Sequence, residues 1–206
     1  MKDRENAIDT KDKILESAYE VFLQHGIDGS GIKQIADRAQ VNKAMLYYYF
    51  DSKEHLFKEV FRKAVRESGL KTLEAMEDEQ TSLFEKIEEY IAALTGKLAE
   101  EPRVFSFVMN ELNRHPGVLT EILVEAIDFD RSVLERQMNE AADRYEIARI
   151  SPRQLMANIT SLCLGPVINQ KYYTVMLDIS DGREYRNFLE ERKGIIYDMT
   201  ISWLTA

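Results

Sequence analysis

Apolar residues recur every three or four positions along almost the whole of this chain, and the strict alternation of a half-buried strand is nowhere sustained. The pattern predicts an all-α protein. The first nine residues read as a loose polar arm. A helix follows, capped at Asp9 or Thr10, with Ile14, Leu15, Ala18, Val21 and Phe22 on one face, and Gly26 after His25 is placed to stop it in a left-handed conformation. Beyond the loop Ile27-Asp28-Gly29-Ser30-Gly31 come two helical turns over 32–39, a tight connection at Gln40-Val41, and two more turns capped by Asn42 that run to Tyr48 or Tyr49. Asp51 or Ser52 opens a long helix that buries Leu56, Phe57, Val60, Phe61, Ala64 and Val65, with Asp51 and Glu54 approximating a capping box. The spacing then predicts helices over 69–76, 81–100, 102–113, 118–144, 152–176 and 182–204. Their breaks are written as Glu101-Pro102, His115-Pro116-Gly117, Ser151-Pro152 and Ser180-Asp181-Gly182, and Gly165-Pro166 is expected to kink the helix that contains it.

Two short helices joined by a tight turn, with the small Ala36 at their crossing and Ile35, Ala39, Val41 and Leu46 as their core, make a helix-turn-helix. The second would be the recognition helix. Its end, Leu46-Tyr47-Tyr48-Tyr49-Phe50, holds four aromatic residues in a row. At helical spacing Leu46 and Phe50 fall on the buried stripe with Tyr49 beside it, whereas Tyr47 and Tyr48 turn progressively outward.

Charge sharpens this picture. The chain carries a formal −9, which is wrong for a protein whose whole surface binds nucleic acid. Residues 26–66 nevertheless hold eight basic against five acidic side chains, a local +3 that leaves −12 for the remainder. That asymmetry allows one basic face. With 206 residues and 45% hydrophobic content the chain can bury a substantial core. Its single cysteine, Cys163, excludes an internal disulfide framework and reads as a small core residue. No run of about 18 apolar residues and no leader-like apolar segment occurs, so a cytoplasmic protein is expected. His25, His55 and His115 have no metal-ligand spacing around them, and no nucleotide-binding or nucleophile motif is present, so neither cofactor nor metal nor catalytic residues are expected.

Over 10–65 the sequence resembles the TetR family of bacterial transcriptional regulators. The resemblance rests on Phe22, Gly26, Ile35-Ala36, Val41, Leu46-Tyr47-Tyr48-Tyr49-Phe50 and Ser52-Lys53-Glu54-His55-Leu56. It implies a helix-turn-helix head, taken as 1–50, joined by a long fourth helix to a helical-bundle effector and dimerisation domain over 51–206. It also implies a homodimer that represses transcription and leaves its operator when a small molecule binds. Three departures bear on the DNA face. Gly31 follows Ser30 where the family usually opens the motif with Thr, so a phosphate contact would pass to Ser30 or to backbone N–H groups at Gly31. Gln40 stands for the usual turn Gly. Ala44-Met45 replaces a frequent Gly-Thr, removing a hydroxyl and offering an apolar tip to a thymine methyl.

On this reading Asn42, Lys43, Ala44 and Met45 enter the major groove, with Lys43 the donor to guanine and Asn42 either a base contact or only a cap. Lys33, Tyr47, Tyr48 and Lys53 would meet phosphates; the competing expectation is that the tyrosines merely pack and the lysines are solvated. Among the middle helices Tyr90, Phe107, Asn110, Asn169 and Tyr173 are the candidates to line an effector cavity, although such stripes are commonly plain core. The acidic balance favours a neutral or cationic effector. The stripe Phe188, Leu189, Arg192, Ile195, Ile196, Met199 and Trp203 suits either the monomer core or, with 152–176, a two-helix by two-helix dimer contact. Two rival functions are a helical small-molecule carrier or enzyme that retains a helix-turn-helix, and a nonspecific architectural DNA binder.

Overall fold

Most of the apolar stripes are buried between helices in the computed structural model, which describes residues 2–68, 70–127 and 129–206. Among the described residues there is no strand. The chain separates into two compact units, one of Met1–Glu67 with Ser106–Glu125 and one of Ser68–Phe105 with Ala126–Ala206. That line falls elsewhere than residue 50, because the whole of the fourth helix clusters with the head.

In the first unit α1 (Lys2–His25) packs on α2 (Ile32–Ala39) and α4 (Lys53–Glu67), and α2 on α3 (Lys43–Tyr49). The expected arm over the first nine residues is instead the start of α1, whose helical backbone begins at Lys2. Ile14, Ala18, Val21 and Phe22 meet Leu56, Phe57, Val60 and Phe61 in a fully buried core, and Phe22 stands edge-on to Phe57 at 5.2 Å between centroids. Aromatic edge-to-face contacts of this kind add about 0.5–1.5 kcal/mol beyond the area they bury. Phe107, on α6 (Pro102–Arg114), extends the cluster, 6.1 Å from Phe57 and 6.4 Å from Phe61.

Helix α1 ends as its sequence requires. Gly26 takes φ +66°, donating its N–H to the Phe22 carbonyl at 2.8 Å. A Cβ there would lie 2.5 Å from Glu111 Oε1, so that carboxylate would have to shift, and the left-handed backbone itself favours glycine. Glu111 itself is buried, and its other oxygen faces the Ile27 N–H at 3.5 Å. Asp28 in the same loop pairs with His115 Nε2 at 3.1 Å.

The second unit is arranged around α5 (Leu83–Glu100), which touches α8 (Ser132–Asp143), α9 (Pro152–Ile168), α11 (Gly182–Leu204) and a 3-10 helix over Leu70–Glu77. Ser82 and Glu85 form a reciprocal capping box at its start. Three expectations are corrected here. The segment 69–76 is a 3-10 turn rather than an α-helix, with Gly69 outside the described residues. The single helix expected over 118–144 is two, since α7 (Pro116–Ala126) stops and α8 begins afresh at Ser132. There Asp130 Oδ1 accepts from the Ser132 N–H at 2.8 Å, and the Asp130 N–H goes to Glu77, so the side chain offers the backbone an alternative to continuing the helix.

The third correction concerns 152–176, where α9 ends at Ile168 and a separate α10 (Gln170–Met176) follows Asn169. Pro166 lies inside α9, three residues before that break. Without an N–H it cannot bond the Leu162 carbonyl one turn back. That acceptor is taken instead by Arg192 Nη2 of α11 at 2.9 Å, while Tyr185 donates its hydroxyl to the Pro166 carbonyl at 2.5 Å. Burial pushes the Tyr185 phenol up to about 12, and does the same to the thiol of Cys163, which is a buried core residue as its apolar neighbours suggest.

Candidate nucleic-acid interface and internal cavity

The recognition helix is set by its two ends. Gln40 closes α2 in the left-handed region at φ 56°, and the Val41 N–H reaches back to the Ala36 carbonyl at 3.0 Å, which satisfies the end of α2 and turns the chain sharply. Asn42 then caps α3 by accepting the Met45 N–H on Oδ1 at 2.8 Å. Of the two roles open to Asn42, capping is the one its side chain occupies. Leu46 and Phe50 are fully buried and pin the helix to the core. On the opposite face Lys43 and Ala44 are exposed, as are Met45, 40% exposed, Tyr47, 46%, and Tyr48, 79%. Tyr49 is half-buried and braces Tyr48 edge-on at 5.2 Å, so the Tyr48 hydroxyl projects from a supported ring.

Lys33 is exposed on α2, and Lys53 is half-buried in the first turn of α4. The cap of α4 is Ser52, whose hydroxyl oxygen accepts from the His55 N–H at 3.0 Å; Asp51 turns to His55 Nδ1 at 3.4 Å, so the Asp51–Glu54 capping box does not form. Ser30 differs from expectation. It is buried, and its hydroxyl donates to the Gly26 carbonyl at 2.6 Å, clasping the loop behind α1. Gly31, in extended conformation at the start of α2, supplies no side-chain cap. What this corner presents outward is therefore Gly31 and the N–H groups of the first turn of α2.

A cavity of about 490 Å³ lies wholly within the second unit. Its apolar wall is Leu73, Ile127, Phe129, Leu134 and Met156. Tyr90 of α5 reaches it from the core, with its hydroxyl 3.2 Å from Thr160 Oγ1, and burial raises the phenol pKa. The charged residues on the lining are Arg131, Glu135 and Arg153, all exposed. That volume and lining suit a small molecule.

Known proteins share this head. The profile described as "Bacterial regulatory proteins, tetR family" matches residues 14–60. YttP of Bacillus subtilis, named a probable HTH-type transcriptional regulator, is 26% identical over 194 residues, covering 90% of this chain and 91% of its own. The HTH-type transcriptional repressor NicS of Pseudomonas putida is 29% identical across 75% of this chain and 74% of its own. The crystal structure of HlyIIR, a hemolysin II transcriptional regulator, has the same fold, with a TM-score of 0.62 at 24% identity over 97% of this chain and 99% of that one. The head, over residues 14–60, is that of the TetR family. Along most of its length the chain is similar to helix-turn-helix transcriptional regulators.

Of the five effector-site candidates, the structure brings only Tyr90 to the cavity. Phe107 is core beside Phe57, and Asn110 is exposed on α6. Asn169 is spent on the α9 break, donating Nδ2 to the Gly165 carbonyl at 3.2 Å. Tyr173 lies over Phe188, 6.5 Å between centroids. Arg131 escapes the sequence pattern because it caps the start of α8, where one continuous helix was expected, and Arg153 and Thr160 escape it because they lie off the apolar stripe of α9. Among the described residues no cluster of three or more His, Cys, Asp or Glu side chains could hold a metal, and no helix is long and apolar enough to cross a membrane.

Proposed function

We propose that the protein is a homodimeric repressor of the TetR family that leaves its operator when a small molecule occupies the cavity of the second unit. The observation that carries the DNA reading is the division of α3, whose Leu46 and Phe50 are locked inside while Lys43, Met45, Tyr47 and Tyr48 stand outside. Lys43, Ala44 and Met45 read bases, Lys43 as a donor to guanine and Met45 by apolar contact with a thymine methyl. Lys33, Tyr47, Tyr48, Lys53 and the backbone at Gly31 hold phosphates, which fixes register without reading sequence. Asn42 serves by holding the helix start. NicS, a repressor by name, supports the negative sign of the regulation.

Dimer formation is supported by what α10 and α11 leave uncovered. Ile195, Met199 and Trp203 are exposed large apolar residues, and a groove of about 290 Å³ is lined by Asn158, Ser161, Leu162, Met199, Thr200 and Trp203. A second copy of 152–176 and 182–204 would cover them, and two heads would then address major grooves about 34–36 Å apart. Effector binding weakens operator affinity to the extent that the effector prefers the DNA-free state.

The test is a gel shift with DNA flanking the protein's own gene, against an excess of unrelated duplex. Specific retention that falls about tenfold or more on Lys43→Ala, and that weakens at the specific site more than at random DNA, is expected. Equal affinity for both duplexes with a steep salt dependence overturns the reading in favour of an architectural binder.

A further inference from the structure

Resting on the assignment of the 490 Å³ cavity as the effector site, we propose that its effector is an amphiphilic anion: an apolar body bearing one carboxylate or phosphate head. Four features converge on this chemistry. The wall residues Leu73, Ile127, Phe129 and Met156 present hydrocarbon and an aromatic face, which call for an apolar body. Arg131 and Arg153 stand on the same lining, both exposed, and neither makes an ion pair with another described residue. Arg131 rests over the Phe129 ring at 5.1 Å, a contact that orients the guanidinium without neutralising it. A guanidinium presents paired N–H donors that match carboxylate and phosphate oxygens.

The backbone adds to the same sign. Both α8 and α9 start at this cavity, since Arg131 is the N-cap of α8, and Pro152 and Arg153 are the first residues of α9. Neither helix receives a side-chain cap from its N-cap residue. The Ser132 N–H of α8 is taken by Asp130 Oδ1 and the Gln154 N–H of α9 by the Ser151 carbonyl, so what the two helix starts bring to the cavity is the positive end of each helix dipole. Glu135 opposes this, yet it sits in the first turn of α8, where a carboxylate is already stabilised by the helix, and the described charged lining still sums to one positive charge. The whole-chain acidity that favoured a neutral or cationic effector is thus reversed locally. Inside, the Tyr90–Thr160 hydroxyl pair uses one of its two protons on itself and retains one to donate to a polar group on the ligand body.

Isothermal titration calorimetry of the full-length protein with decanoate, decyl phosphate, decanol and decylamine tests this. Each probe carries the same tail, and the first two separate a carboxylate from a phosphate source. At least one anion is expected to bind about tenfold or more tighter than decanol. Arg153→Gln with Arg131→Gln should abolish that preference while leaving decanol affinity within about twofold, and Glu135→Gln should tighten the anion. Tighter binding of decylamine, retention of the anion preference in the double arginine variant, or binding of none of the four overturns the proposal. The gel shift separates it from the repressor reading. An anion that binds in an arginine-dependent way yet leaves operator affinity unchanged defeats effector release but not this assignment. Release by an amine, blocked when Ala157→Trp fills the cavity, defeats this assignment but not effector release.

Discussion

The same phenol group is used in opposite ways in the two units. On α3, Tyr47 and Tyr48 face solvent from a helix whose other side is locked by Leu46 and Phe50. On α5, Tyr90 is buried and its hydroxyl is matched to Thr160 at the edge of a cavity. The first arrangement suits a ligand that arrives as a surface, where rings are supported from behind and hydroxyls stay free. The second suits a ligand that is enclosed, because a buried hydroxyl without a partner costs about 1–3 kcal/mol while it waits. Exposure separates the two arrangements, and the head can keep these rings outside because Leu46 and Phe50 complete its core without them.

The sharpest way to break that contrast is to remove a pin behind the exposed rings. Leu46→Ala is expected to cost about 2–5 kcal/mol and to abolish specific DNA binding, read by thermal unfolding and gel shift, since the cavity it opens lies at the root of α3. Next comes Gly26→Ala. With a left-handed backbone and Glu111 in the way, it should lose about 2 kcal/mol or more, measured by denaturant unfolding; an unchanged midpoint would mean the α1 terminus has relaxed.

The two phenols themselves are compared by matched deletions. Tyr90→Phe should cost about 1 kcal/mol of stability by leaving the Thr160 hydroxyl without its partner. Tyr47→Phe should change stability by less than about 0.5 kcal/mol, yet weaken operator binding severalfold. Equal stability losses would erase the distinction. A fourth expectation follows from Lys86, which is buried with its Nζ donating to the Met76 carbonyl at 3.2 Å, and whose pKa is lowered chiefly by that burial. The unfolded chain then holds this proton more tightly than the folded one. Stability should therefore climb as pH rises from the folded pKa to the ordinary lysine value, and level off above it. Lys86→Met should flatten that rise in urea midpoints taken across alkaline pH. The smallest effect is Gly31→Ser, worth a few tenths of a kcal/mol, because a capping hydroxyl is added where a Cβ meets nothing within 4 Å.

Legibility in the sequence followed the same division. In the head, short helices with strong punctuation fixed α2 at 32–39 and the Asn42 cap, and helical spacing sorted Leu46 and Phe50 from Tyr47 and Tyr48 correctly. Ser30 was misplaced because an inward hydroxyl bond to the Gly26 carbonyl depends on how the loop closes, which no local pattern carries. In the second unit the long apolar periods over 118–144 and 152–176 hid their breaks. One break lies at Asp130, which favours caps and turns but has no Gly or Pro beside it to mark a stop, and the other comes three residues after a proline that the helix runs through. The cavity was invisible for the same reason, because its residues come from helix ends and a 3-10 turn rather than from one stripe.

Pro166 has a consequence beyond ending a helix. By stripping the Leu162 carbonyl of its own helical donor, it leaves an acceptor that Arg192 fills from α11. Sliding α11 along α9 by one turn, about 5.4 Å, would strand that carbonyl and the guanidinium together. The missing amide thus works as a detent that favours one register of these two helices.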